Sequence, residues 1–319
     1  MSTLEPSLRT THDLLLCNEC GTQYPVTTQS GKDECKICDD PRQYVPATGQ
    51  VFTTLGRLKQ QGHRNTWWQD EENPRIWSVR TEPKFAIGQR AMLVQTAAGN
   101  VLWDLIALLD QETVDKIVQL GGLKAIVISH PHYYTTWSEW SRTFQCPVYI
   151  GEPDKLWLER VNSKGADIRF LQEPYTTDIL PGSSDLTAIL AGGHFPGSLL
   201  LHWKAPDHKG ILFIADTIFT SPSAMNPNPG KAGVISFTFF WSIPNRIPLH
   251  PDDIFRIWKL VRPLEFETAL GAFAGQDVRT REGEVERGTG GVKGRLLESC
   301  GIYVRAMGWE EHEILGERL

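Results

Sequence analysis

The chain has 319 residues, with 32 Lys and Arg against 38 Asp and Glu and a formal net charge of −6. Apolar residues make up 40% and charged residues 22%, which excludes a disordered or fibrous chain and leaves ample length for a real core. The mild acidity lacks the basic footprint of a nucleic-acid binder, and no run approaches the roughly 20 apolar residues of a membrane span. The first residues show no basic segment followed by a long apolar core, so no signal peptide is expected. A cytoplasmic protein with no nucleic-acid and no membrane partner follows as the expectation.

The first element in the chain is a set of cysteines. Cys17, Cys20, Cys35 and Cys38 form C-x2-C-x14-C-x2-C. Each CxxC places two thiolates on one tight knuckle, and two knuckles supply the four sulfur ligands that zinc takes in a tetrahedral site. Gly21, directly after Cys20, suits the positive φ of such a turn. Two disulfides do not suit a reducing compartment, and a redox CxxC would not be expected twice. A structural zinc is expected, with iron in a rubredoxin-like site as the competitor. The Pro-rich polar segment from Asp39 to Gln50 reads as a linker. It divides the chain into a four-cysteine module over 1–50 and a main domain over 51–319.

The main domain opens with strands expected at 76–81, 91–96 and 101–103, the last ending at Asp104. Asp110 precedes a helix that stops at Gly121 and Gly122, and the branched run 124–129 reads as a buried strand. A helix over Trp137–Phe144 follows. Strands are then expected at 146–150, 185–191, 198–203, 210–215 and 266–273, with helices after Pro251 and over 294–304. The stretches 221–233 and 280–294 read as loops. Strands first and then mixed elements give an α/β class, with sheets packed between helices. Trp67, Trp68 and Trp77, among eleven Trp, are expected where the module meets this domain.

Among nine His, His130 and His132 leave the end of a strand as His-Pro-His, and His194 sits in Gly192-Gly193-His194-Phe195-Pro196-Gly197 after another. Asp216 follows the apolar run Ile211–Ala215. Strand ends hold side chains rigidly, and alternate residues share a side, so an HxH pair can face one ion. Three His and a carboxylate suit zinc or iron.

With these motifs, residues 77–275 resemble the metallo-β-lactamase superfamily of hydrolases. Asp104 matches the first acidic position, Ser129-His130-Pro131-His132 opens the second motif, the loop around His194 matches the third, and Asp216 the fourth. The resemblance implies a four-layer αββα sandwich with a metal site at one edge of its sheets. Two departures stand out. The second motif continues with Tyr134 and Thr135 instead of Asp and His, and no His lies between His250 and His312 to supply the fifth motif near Ala272. The first metal position, His130, His132 and His194, is intact, while the second keeps at most Asp216. One metal is therefore expected in this site, with Asp216 as a fourth ligand or as hydrogen-bond acceptor for a bound water.

A zinc site with an open position lowers the pKa of its water to about 7, so a hydroxide can attack an ester, lactone, thioester or amide carbonyl. Asp216 would orient that nucleophile, and Tyr133 or Tyr134 would donate to the oxyanion or only fill the vacated position. Asp104 is expected to orient the HxH loop. The metal loops carry no Lys or Arg over 128–141 or 191–203, which disfavours phosphoesters. Trp137, Trp140, Phe195, Phe240 and Trp241 suggest an apolar pocket for a small-molecule substrate. Two other readings stand beside the hydrolase: iron with redox chemistry, or a degenerate member that binds metal and a protein partner. Nothing in the sequence assigns an oligomeric state.

Overall fold

The branched runs between Ile76 and Gly151 do become strands, and short polar segments set their order. The computed structural model describes residues 6–29, 31–206, 210–226, 233–284 and 290–319. They fall into two units, 1–171 with 180–182, and 172–179 with 183–319.

In the first unit, β1 (Leu15–Cys17) pairs antiparallel with β2 (Phe52–Thr54), so the cysteine segment shares a ladder with residues beyond position 50. Thr54 ends β2 and caps α1 (Leu55–Gln60), its side chain accepting from the Arg57 amide. Leu16, Leu55 and Leu58 are buried in one cluster with Phe85, Ala107 and Leu108, which fixes the cysteine module against the rest of this unit. Each aliphatic side chain removed from water there contributes about 2 kcal/mol.

A seven-stranded sheet follows, with β3 (Arg64–Gln69), β4 (Ile76–Glu82), β5 (Arg90–Thr96), β6 (Gly99–Trp103), β7 (Ala125–Val127), β8 (Pro147–Gly151) and β9 (Asp167–Leu171) adjacent in chain order. Pairing is antiparallel from β3 to β6 and parallel from β6 to β9. The parallel half needs crossovers, which α2 (Gln111–Gln119) and α3 (Trp137–Phe144) provide. Asp110 caps α2 by accepting from the Thr113 amide at 2.8 Å, and Val114 and Ile117 form its buried stripe. Parallel strands end on the same side, so the loops after β6 and β7 emerge together.

Strand β3 is absent from the sequence reading because RNTWWQ has no clean alternation. Its two tryptophans are half-buried on an edge strand, paired with Val79 and Ser78. Arg80 lies over Trp68 and Lys116 over Trp77, so these two rings carry cations on their faces.

The second unit holds a six-stranded sheet: β10 (Thr176–Asp178), β11 (Leu186–Leu190), β12 (Leu199–Trp203), β13 (Ile211–Phe213), then β18 (Thr268–Leu270) and β19 (Val278–Arg279). Short pairs β14 (Phe219–Thr220) with β15 (Phe237–Thr238), and β16 (Phe240–Ser242) with β17 (Ile247–Pro248), lie between β13 and β18 in sequence. The crossover to β18, parallel to β13, runs through α4 (Pro251–Val261). Pro251 suits the first turn of this helix, where no intrahelical amide bond is lost. The last helix, α5 (Gly291–Ala306), starts three residues earlier than expected. Ile189, Leu200 and Leu212 from the sheet pack with Ile254, Trp258, Leu296 and Val304 of the two helices. All five residues of β12 are buried, the signature of a strand covered on both faces. The expected loops 221–233 and 280–294 fall partly on 227–232 and 285–289, outside the described residues. No described helix is long and apolar enough to cross a membrane.

Candidate metal centres

The four cysteines converge as their spacing requires. Cys17 Sγ lies 3.5 Å from Cys38 Sγ, and Cys20 Sγ 3.6 Å from Cys35 Sγ, all four free and buried. Four thiolates bonded to zinc at about 2.3 Å stand roughly 3.8 Å apart, so the observed spacing is that of a tetrahedral site. The Tyr24 hydroxyl donates to Cys35 Sγ at 3.1 Å and Gln50 Nε2 to Cys17 Sγ at 3.0 Å, the direction of bonding that steadies a thiolate. Burial, followed by the neighbouring sulfurs, pushes the Cys20 thiol well up. A bound cation would reverse that cost.

The second set of ligands grows from strand ends. Asp104 ends β6 in the left-handed region (φ 60°), a conformation a short polar side chain tolerates. Its Oδ1 accepts from the Ser129 amide at 2.7 Å, which pins the start of the HxH loop to the adjacent strand end. Ser129 Oγ lies 2.8 Å from His130 Nδ1, leaving Nε2 to face forward. That nitrogen is 3.2 Å from His132 Nδ1, close to the separation of two imidazoles sharing an ion bonded at about 2.0 Å.

His194 rests on two glycines that turn sharply. Gly192 and Gly193 have φ of 64° and 94°, and a Cβ on Gly193 would sit 3.1 Å from both Ile257 Cδ1 and Leu249 Cδ1. Any larger residue would be strained and would move the loop. His194 Nδ1 lies 3.1 Å from the Phe240 carbonyl oxygen and donates to it, so the lone pair belongs to Nε2. Nε2 in turn stands 3.7 Å from Asp216 Oδ2, too far for a hydrogen bond and suited to two ligands of one ion.

His130, His132, His194 and Asp216 form one group: all four are buried, and one ligand atom from each lies within 4.8 Å of the others. Three imidazoles and a carboxylate, with the His194 tautomer set by a carbonyl, are a donor set for zinc or iron.

No family model matches the sequence. The uncharacterized protein YmaE of Bacillus subtilis (strain 168) is 40% identical over 261 residues, 81% of this chain and 88% of YmaE. Among solved structures, VMB-1 superposes with a TM-score of 0.50 at 12% identity, covering 76% of this chain and 98% of VMB-1. The metallo-β-lactamase FIM-1 of Pseudomonas aeruginosa, in its mono-zinc form, gives 0.49 at 12% identity over 76% and 96% of the two chains. This chain belongs to one family with YmaE, and its fold is the metallo-β-lactamase fold. The fold and the buried donor set together describe a chain built to hold a metal ion.

Within this fold the other expected site residues are placed as follows. Tyr133 and Tyr134 follow the HxH pair and are both buried; the Tyr133 ring stands 5.3 Å from that of His130. The Tyr134 hydroxyl has no hydrogen-bond partner among the described residues, and burial, then Asp154, pushes its pKa well up. Trp137 and Trp140 are core residues whose indole N–H groups donate to the carbonyls of Glu159 and Ile106. Phe195 is likewise buried, while Phe240 and Trp241 are only half-buried. The sequence reading missed the Phe240 carbonyl as the partner of His194, because a backbone acceptor has no residue signature. It also missed Arg256, which donates to the Ala191 carbonyl behind the glycine turn and pairs with Asp253 at 2.8 Å.

Proposed function

We propose that the protein is a mononuclear zinc hydrolase acting on an ester, lactone, thioester or amide bond of a small, fairly apolar substrate. The observation that carries this reading is the buried group of His130, His132, His194 and Asp216, three imidazoles and one carboxylate. The positions that would complete a second set are Tyr134, Thr135 and Ala272. Zinc in such a donor set supplies Lewis acidity and lowers the pKa of a water to about 7.

The chain's own residues then have separable tasks. His130 and His132 bring Nε2 and Nδ1 to 3.2 Å of one another, and the Phe240 carbonyl holds His194 in the tautomer that presents Nε2. Asp216 directs Oδ2 towards His194 and is placed to take a proton from the attacking water. The Tyr134 hydroxyl, buried without a partner, is the donor we assign to the developing oxyanion. With Trp137, Trp140 and Phe195 in the core, the apolar contact to substrate falls to Phe240 and Trp241.

Phosphoester cleavage is less favoured. Both metal-bearing loops lack Lys and Arg, and the guanidinium of Arg256 is committed to Ala191 and Asp253. Esters, lactones, thioesters, amides and phosphodiesters should therefore be assayed side by side, before and after chelation and zinc return. Zinc-dependent turnover of a carbonyl substrate, lost in His130→Ala, is the expected result. Turnover confined to phosphodiesters would contradict the reading.

A further inference from the structure

The four-cysteine module is bonded directly to the loop that carries His130 and His132. Gln89 is buried, and its Nε2 donates one hydrogen to the Cys20 carbonyl at 2.8 Å and the other to the His132 carbonyl at 3.1 Å. A single amide nitrogen thus touches the backbone of one ligand from each metal set. Three residues further along the knuckle, the Gln23 amide donates to the Thr135 carbonyl at 3.1 Å. Thr135 has a φ of 36°, unfavourable for a β-branched residue, so this bond holds a conformation the loop would not keep alone. Between them lies Gly21, where a Cβ would stand 3.1 Å from Ala107 Cβ and 3.5 Å from Thr135 Cγ2. The knuckle therefore packs closely on its surroundings at Gly21, whose φ of 76° also disfavours a side chain.

A CxxC knuckle keeps its shape only while its thiolates are held together, since a module this small buries too little to fold unaided. Loss of such an ion would loosen Cys20 and Gln23, which reach the HxH loop through Gln89 to the His132 carbonyl and directly to the Thr135 carbonyl. We propose that the thiolate site is the template for the His site, with Gln89 as the positioning residue between them. Filling the cysteine cluster then raises the metal affinity of the His–Asp group. The inference rests on the reading that this group binds an ion.

The test measures cobalt affinity at the His site by its visible d–d bands in competition with a chelator. In wild-type protein with one equivalent of zinc on the thiolates, cobalt should bind about 10-fold or more tightly than in the fully metal-free protein, the scale at which the contacts behind a ligand act. Gln89→Leu, which keeps the shape but removes both donors, should weaken cobalt binding by a similar factor while the cysteine cluster keeps its zinc. Gln95→Leu, which loses a donor to the Leu120 carbonyl in the same sheet, should leave both sites unchanged. Equal cobalt affinity with the thiolates full or empty overturns the inference, and that comparison needs no variant to fold. A folded Gln89→Leu protein with wild-type affinity overturns it as well. If wild-type protein shows no cobalt at the His site under any loading, the proposed hydrolase fails and takes the coupling with it.

Discussion

The two metal sites are built from opposite kinds of local structure. The thiolate site takes all four ligands from two knuckles within 22 residues of chain, and every sulfur points inward. Its shape belongs to the ion as much as to the chain. The His–Asp site takes its ligands from three separate strand-end loops held in part by contacts within the chain: Asp104 on Ser129, Ser129 on His130, Phe240 on His194. A site of the first kind contributes folding energy and keeps no open position. A site of the second kind is preorganised, as a site for chemistry must be. On the proposed function, the same four-donor count would carry two roles.

This contrast can be broken in order of expected effect. Cys35→Ser should cost more than about 3 kcal/mol of stability, because three buried thiols are left around an ill-held ion; denaturant unfolding followed with zinc analysis measures it. A drop confined to activity would mean the module is not a staple. His130→Ala should lower turnover by about 10³-fold with the unfolding midpoint nearly unchanged and the thiolate zinc retained. A large loss of stability there would erase the distinction between the sites. Asp104→Ala should weaken the His site about 10-fold, through release of the Ser129 amide, and Asp104→Asn should weaken it less because an acceptor and a left-handed-tolerant residue remain. Tyr134→Phe should change stability least, by less than about 1 kcal/mol and towards a more stable fold, since an unpartnered buried hydroxyl is removed. Its turnover should still fall; unchanged turnover would reduce Tyr134 to a space-filler.

What the sequence showed of these sites was whatever short spacing encodes. CxxC pairs, the HxH pair, the double glycine before His194 and the carboxylate after an apolar strand each constrain geometry over a few residues. The structure brings those residues into the two groups. Helix α3 was legible to the residue and α2 by its Asp110 cap and terminal glycines. The contacts that join the module to the HxH loop were not legible, because they run from side chain to carbonyl or from amide to carbonyl. Gln89 is one glutamine among many until its two acceptors are seen. Trp137 and Trp140 misled in the other direction. Adjacency to a ligand loop suggested a substrate wall, yet α3 turns both into the core and satisfies their N–H groups on backbone. Cys146 and Cys300, outside both groups, are free and buried, and burial pushes Cys146 up to about 12.

The central claim is that one ion occupies each site and that the His–Asp group holds no second. Anomalous scattering from crystals of the purified protein, collected at the metal edges, tests it most directly. The account predicts one peak within the Cys17, Cys20, Cys35 and Cys38 tetrahedron and one among His130, His132, His194 and Asp216. Two well-occupied peaks a few ångströms apart in the His–Asp group, with Tyr134 as a ligand, would contradict it.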